Sequence, residues 1–235
     1  MDRKITLEKT ADGSHTLYVP ELDEHYHSMN GAIQESQHVY ITSGLLYYIH
    51  THYTVNESGD ETQQPEIQLL EFGFGTGLNT FLTALEAEKQ KIKIHYVALE
   101  KFPLSQEITS QLNYSTANLL LFQNIHKSEW GNPVEITPHF ILQKLTGDFA
   151  EFDFPDRYDV VYYDAFAPGK QPEVWSQEIF DKIFGAMNPA GVLTTYCAKG
   201  NIRRMMQQSG FIVERIPGAL GKREMLRGRI MNYEL

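Results

Sequence analysis

A chain of 235 residues, 42% of them hydrophobic, can bury the core of one large domain. Its single cysteine, Cys197, excludes an internal disulfide and argues against a thiolate metal site. Neither an apolar run long enough to span a bilayer nor an apolar segment near the N-terminus is present, so the sequence predicts a soluble, cytoplasmic protein.

The net charge of -10 disfavours nucleic acid as a partner, but the charge is unevenly distributed. Residues 199–229 contain eight basic residues against the two acids Glu214 and Glu224, a local net charge of +6. The rest of the chain carries -16. Two interpretations remain open, a surface that meets phosphates and the ordinary solvated faces of a helix and strands.

The first sixty residues predict a small extension. KITLEKT and HTLYVP alternate in polarity on either side of Ala-Asp-Gly, which predicts a β-hairpin. The stretch GAIQESQHVYITSGLLYYIHTHY has apolar positions at helical spacing and predicts one or two helices, and residues 56–66 form a polar loop. We therefore divide the chain into an extension, 1–60, and a main domain, 61–235.

The main domain alternates strands and helices, which predicts an α/β fold with a mostly parallel sheet and helices on both faces. Helices are predicted near LNTFLTALEAEKQ, LSQEITSQLN, QPEVWSQEIFDKIFGAM and NIRRMMQQSG, while the pattern of 113–133 is irregular and predicts helix and loop. Seven strands are predicted, at EIQLLEF, KIKIHYVALE, PHFILQKLTGD, RYDVVYYDAF, AGVLTTYCA, FIVERIP and REMLRGRIMNYEL.

Ligands of such sheets bind at the carboxyl ends of the strands. Three acids stand at such ends, Glu100, Asp148 and Asp164. The turn EFGFGTG after the first strand of the main domain adds glycines that let the backbone approach a nucleotide-like ligand. These glycines are Gly73, Gly75 and Gly77.

An acid at the position of Glu100 can accept both hydroxyls of an adenosine ribose, as in dinucleotide-binding proteins and in S-adenosylmethionine-dependent methyltransferases. The acid Glu71 near the turn and the closing strand-turn-strand favour the second class. Asp148 would accept a hydrogen bond from the adenine amino group, or it would begin a helix in GDFAEF.

Asp164 would lie closest to the transferred methyl group. A free carboxylate, with a pKa of about 3.9, is a poor base for an alkylammonium with a pKa of roughly 10. Its expected role is therefore to orient an amine and to offset the charge that develops on nitrogen, with bonding to amides of its own turn as the alternative. The His-x-His pairs at His25 and His50 lack further ligands at a familiar spacing, so no metal site is predicted.

Several blocks together resemble the methyltransferase of MnmC type. They are GAIQESQHVYI, LEFGFGTGLNTFL, ALEKFPL, YYDAFAPGKQPEVW, GVLTTYCAKGNIRRMMQQSGF and GKREML, within about residues 26–231. The resemblance implies a Rossmann-like, seven-stranded methyltransferase fold with S-adenosyl-L-methionine as cofactor. The implied reaction is N-methylation of the aminomethyl group of 5-aminomethyl-(2-thio)uridine at the tRNA wobble position.

The resemblance also implies roles for individual residues. Asp164 would be the catalytic or substrate-orienting residue. Lys222 and Arg223 would hold phosphates of the tRNA anticodon region, and Lys170 and Lys199 would either join them or be solvated loop lysines. The implied cofactor contacts are Glu71, Gly73, Gly75, Gly77, Glu100 and Asp148, with Glu35 and Ser36 in an N-terminal block.

Many members of this family carry a fused flavin-dependent oxidase, for which 235 residues leave no room. We therefore expect methylation alone, with the aminomethyl substrate supplied by a separate FAD-dependent oxidase or by another route. Two alternatives remain. One is an N-methyltransferase acting on a small-molecule amine, and the other is a non-catalytic cofactor- or RNA-binding module.

Overall fold

The computed structural model describes residues 4–53, 66–115, 117–155 and 157–231. The N-terminal part forms a three-stranded antiparallel sheet of β1 (Thr6–Lys9), β2 (His15–Val19) and β3 (Glu24–His25). The predicted hairpin is thus present and gains a short third strand. The predicted domain boundary and nearly all of the predicted polar loop lie in 54–65, outside the described residues.

A continuous helical segment follows the N-terminal sheet. It consists of α1 (Ala32–Ser36), a π-helix (Gln37–Leu46) and α2 (Tyr47–His52), joined by residues in helical conformation. Gly44 lets the π-helix approach the sheet closely, since a Cβ there would lie 3.1 Å from atoms of Thr194 and Tyr162. The extension therefore packs directly on the central sheet.

The central sheet has eight strands in the order β10-β11-β9-β8-β4-β5-β7-β6. The run from β9 to β7 is parallel, while β6, β11 and β10 pair antiparallel to their neighbours. The bounds are β4 (Glu66–Phe72), β5 (Lys93–Glu100), β6 (Pro133–Thr137), β7 (Phe140–Thr146), β8 (Tyr158–Tyr163), β9 (Met187–Thr195), β10 (Ile212–Pro217) and β11 (Glu224–Arg229).

Seven of these strands correspond to the predicted ones, and the fold class is confirmed. The eighth, β6, was not predicted. It is a short edge strand that begins at a proline, has no fully buried residue and contains a register shift between Glu135 and Thr137. Such a strand lacks the apolar run by which the inner strands were recognised.

Helices cover both faces of the sheet. The first face packs against the helical segment 32–52 together with α3 (Leu78–Gln90), α4 (Gln106–Thr109) and α5 (Leu119–Lys127). The second packs against α6 (Gln177–Ala186) and α7 (Gly200–Ser209), and a short 3₁₀ turn, Pro172–Val174, precedes α6. Within the described ranges no helix has the length and apolarity needed to cross a membrane.

Backbone hydrogen bonds connect the carboxyl ends of the inner strands. The backbone amide of Gly73 donates to the carbonyl of Leu99 at 3.0 Å, and the amide of Asp164 donates to the carbonyl of Phe72 at 3.0 Å. The chain order also reverses here, because β4 pairs with β5 on one side and with β8 on the other. This edge is therefore the topological switch point at which a ligand is expected.

Candidate active site

A cavity of about 240 Å³ opens at this edge of the sheet. Its walls come from the β3 region, α1, the glycine turn, the ends of β5, β7 and β8, and the loops that carry Tyr196 and Lys222. The predicted site residues that line it are Glu35, Gly73, Gly75, Glu100, Asp148, Asp164 and Lys222. The predicted residues outside this lining are Ser36, Glu71, Gly77, Lys170, Lys199 and Arg223.

The glycine turn brings bare backbone to the cavity. Gly73 has φ +93°, and a Cβ there would lie 2.6 Å from the carbonyl oxygen of Asp164. Gly75 has φ +49°, and a Cβ there would lie 3.0 Å from the Tyr26 ring. A side chain at either position would collide with these protein atoms, so glycine is needed to keep this backbone at the cavity wall beside the start of α3.

Backbone amides orient the carboxylate of Glu100. One oxygen accepts from the amide of Gly75 at 2.9 Å, and the other accepts from the amide of Phe102 at 2.8 Å. Two backbone amides therefore fix the direction of this carboxylate, which lines the cavity. Its contact with a ribose stays a prediction.

Asp148 is engaged by two protein groups. Lys101 Nζ lies 2.6 Å from one oxygen and holds the pKa of this carboxyl below its usual value, while the amide of Ala150 donates to the other oxygen at 3.0 Å. The alternative, that Asp148 begins a helix, does not hold, because residues 149–151 form a turn. Asp148 still faces the cavity.

Two helices hold the carboxylate of Asp164. Tyr40, in the π-helix, donates its hydroxyl to one oxygen at 2.6 Å, and Asn79, in α3, donates from Nδ2 to the other at 2.8 Å. The expected alternative, bonds from amides of its own turn, is not what holds this carboxylate in the described structure. Burial raises the pKa of Asp164 to about 7, although both hydrogen bonds oppose that rise.

Glu71 lies beneath the cavity wall rather than in it. It is fully buried, and its oxygens accept from Asn79 Nδ2 at 2.9 Å and from Thr80 Oγ1 at 3.1 Å. Burial raises the pKa of Glu71 to about 8. The same Asn79 amide group therefore contacts two carboxyl groups, those of Glu71 and Asp164.

An acid and a lysine form an ion pair in the cavity wall. Lys222 Nζ lies 2.6 Å from Glu35 Oε1 and 4.1 Å from the centre of the Tyr196 ring. The other oxygen of Glu35 accepts from the amide of Ser28 at 2.7 Å. The neighbouring Ser36 is fully buried, and its hydroxyl has no hydrogen-bond partner within the described structure. Lys222, which we assigned to tRNA phosphates, thus lies inside the cavity and is paired.

The remaining predicted cations differ in environment. Lys170 pairs with Asp23 at 3.0 Å, whereas Lys199, which precedes α7, and Arg223 are exposed. Three arginines of the basic segment form ion pairs with its two acids, Arg215 with Glu224 and both Arg227 and Arg229 with Glu214. Both acids belong to the segment and are already counted in its net charge of +6, so these pairs hold the three arginines in place without lowering that charge.

The sequence did not reveal Tyr40, Asn79 or Tyr196 as site residues. The tyrosines lie among aromatic residues that pattern alone assigns to the core, and Asn79 was assigned no role from the sequence. Asn79 does carry a usable signal, since it stands on the first turn of a helix directly after a glycine turn, where side chains face the ligand edge.

Comparison with known proteins identifies relatives of the chain. A family model described as S-adenosyl-L-methionine-dependent methyltransferase matches residues 99–231. Curated proteins named tRNA 5-methylaminomethyl-2-thiouridine biosynthesis bifunctional protein MnmC are similar, with 28% identity over 90% of this chain in Leptospira borgpetersenii strain JB197 and 29% over 90% in Methylobacillus flagellatus. The chain spans about a third of the length of these relatives, 33% in each.

A solved structure of MNMC2 from Aquifex aeolicus shares the fold, with a TM-score of 0.72. The similarity covers 98% of this chain and 72% of that one, at 23% sequence identity.

Proposed function

Because the chain belongs to a family of S-adenosyl-L-methionine-dependent methyltransferases, we propose that it methylates the free aminomethyl nitrogen of 5-aminomethyl-(2-thio)uridine at the wobble position of tRNA. The observation that carries the choice of an amine is Asp164, a carboxylate held at the cavity wall by Tyr40 and Asn79. The choice of tRNA follows the names of the curated relatives.

The cavity fits this cofactor. Backbone at Gly73 and Gly75 lines the cavity beside the start of α3, and Glu100 presents two oriented oxygens where a ribose would lie. We assign Glu100 to the ribose hydroxyls, Asp148 to the adenine amino group and Glu35 to the far end of the cofactor. When bound, the cofactor supplies an electrophilic methyl carbon on a sulfonium.

The residues of the chain then act on the acceptor amine. Asp164 accepts a hydrogen bond from the neutral amine and so aims the nitrogen lone pair across the cavity. As nitrogen becomes positively charged, the carboxylate offsets that charge and can take the surplus proton. A pKa of about 7 makes Asp164 a better proton acceptor than the free carboxylate considered from the sequence.

The proposal requires an amine that is already free. A carboxymethylated precursor would first have to lose that substituent, for which a flavin-dependent oxidase or another route is required. The anticodon region of tRNA would be the macromolecular partner, with the wobble base turned out of its stack to reach the cavity.

Transfer of labelled methyl from S-adenosylmethionine to tRNA bearing 5-aminomethyluridine, followed by nucleoside analysis, tests this function. We expect label in 5-methylaminomethyluridine. Label in no nucleoside, on tRNA verified to carry the aminomethyl group, would reject the tRNA assignment. Transfer to small amines in that case would instead support a small-molecule N-methyltransferase.

Arg223 is expected to contact tRNA phosphates, because it is exposed and directly follows Lys222, which lines the cavity. Arg223→Ala should weaken tRNA binding. The slope of log affinity against log salt concentration is negative, and its magnitude should fall by about 1. Arg229→Ala removes the same charge from an arginine that is paired with Glu214 at 3.0 Å, and it serves as the matched control. Equal slopes for the two variants in fluorescence titrations at several salt concentrations would place the tRNA path elsewhere.

A further inference from the structure

Asp164 does not stand alone at the cavity wall. Its carboxylate is the last member of a chain of hydrogen bonds that begins at Glu71 and passes through the Asn79 amide. Both bonds start from the same nitrogen, Asn79 Nδ2, at 2.9 Å to Glu71 and 2.8 Å to Asp164. An amide nitrogen has two hydrogens in fixed directions, so occupying both leaves this group one orientation.

Glu71 is suited to fixing this amide and poorly suited to contacting a ligand. It has no exposed surface and does not line the cavity. Thr80 fixes its second oxygen from the next residue of α3. No cation forms an ion pair with it within the described structure, so a neutral carboxyl is favoured at this depth.

We propose that Glu71 and Asn79 are positioning residues for Asp164: Glu71 locks the Asn79 amide, and the same amide holds the Asp164 carboxylate against the cavity. This replaces the direct contact with cofactor expected for Glu71. The inference rests on the proposed role of Asp164 in methyl transfer, but its geometric part can be tested without any acceptor.

Asn79→Leu keeps a side chain of similar size and removes the bond to Asp164. The carboxyl resonance of Asp164, assigned by its absence in Asp164→Asn, can be followed in carbon-13 NMR titrations of the protein without ligands. Loss of a donor to the charged form should move its titration to higher pH by about 1. Tyr40, Glu35 and Lys222 also act on Asp164 and are unchanged in the variant.

Glu71→Leu should shift this titration in the same direction and lower kcat about tenfold. Glu71→Gln, an isostere of the neutral acid, should recover most of that loss. Affinity for S-adenosylhomocysteine, measured by calorimetry, should stay within about threefold in all three variants. In an Asp164→Asn background, Glu71→Leu should lower kcat no further, because Glu71 affects methyl transfer through the Asp164 carboxylate.

Thr83→Val is the matched control, since Thr83 is a buried polar residue on the same helix that faces Tyr162 instead. It should leave the Asp164 titration in place. Thermal unfolding identifies any variant that does not fold. If Glu71→Leu is one of them, Asn79→Leu and Glu71→Gln carry the test.

An unmoved Asp164 titration in Asn79→Leu overturns the proposal, as does a tenfold loss of S-adenosylhomocysteine affinity in Glu71→Gln. These two measurements need no tRNA. A shifted titration without methylation of tRNA would therefore reject the proposed substrate and leave the positioning roles intact.

Discussion

Asp164→Asn should lower the rate of methyl transfer on the order of a hundredfold, the scale of one lost electrostatic contact to a transition state. The variant keeps the size of the side chain but removes the negative charge that offsets the developing ammonium. It also presents an amide nitrogen toward Tyr40 or Asn79, both of which donate to this position. Single-turnover rates with S-adenosylmethionine measure the loss, and S-adenosylhomocysteine affinity should change only a few-fold.

Asp181→Asn is the matched control. Asp181 is an exposed acid in α6 that accepts hydrogen bonds from Gln177 and Ser209 and does not line the cavity. The same substitution there should leave the rate unchanged. If Asp164→Asn were as fast as this control, Asp164 would have no part in the mechanism.

The pH dependence gives a second signature of Asp164. Its pKa of about 7 predicts that the native rate rises with pH as the carboxyl ionises near neutrality, and that Asp164→Asn loses this contribution. The free energy of unfolding should change with pH in the opposite direction. The folded protein holds a proton that the unfolded chain releases near pH 4, so the free energy of unfolding falls as pH rises toward 7. Asp164→Asn should weaken this fall.

The sequence predicted the acids and glycines of the site because each of them is tied to the end of a strand. A strand that is recognised by its apolar run also locates its own carboxyl end, and the sheet rule then brings Glu100, Asp148 and Asp164 to one edge. The fold follows from the same periodicity, and the strand it missed, β6, is the edge strand with no fully buried residue.

The partners of these acids could not be predicted in the same way. Tyr40 reaches Asp164 across 124 residues of chain, and Lys222 reaches Glu35 across 187. The wider turn of the π-helix also changes which of its residues face the sheet, so the spacing of an ordinary helix does not select Tyr40. Contacts of this kind depend on how the N-terminal extension packs on the main domain, and the local sequence pattern does not indicate that packing.

Gly73→Ala should produce the largest loss of stability among simple substitutions at the site. Gly73 has φ +93°, a conformation strained for alanine, and the added methyl carbon would meet the carbonyl oxygen of Asp164 at 2.6 Å. The neighbour is backbone of the adjacent strand end and cannot rotate away. We expect a cost of about 3 kcal/mol or more in urea unfolding, together with weakened S-adenosylhomocysteine binding as the turn and Asp164 move apart.

Gly185→Ala provides the comparison for this prediction. Gly185 is exposed within α6, and a Cβ there would meet nothing within 4 Å, so alanine should be neutral or stabilising by up to about 1 kcal/mol. Since both variants add one methyl group, the difference between them isolates the backbone conformation and the close approach at Gly73. If Gly73→Ala matched Gly185→Ala in stability and ligand affinity, the turn would tolerate a side chain, and the cofactor site would not depend on glycine at this position.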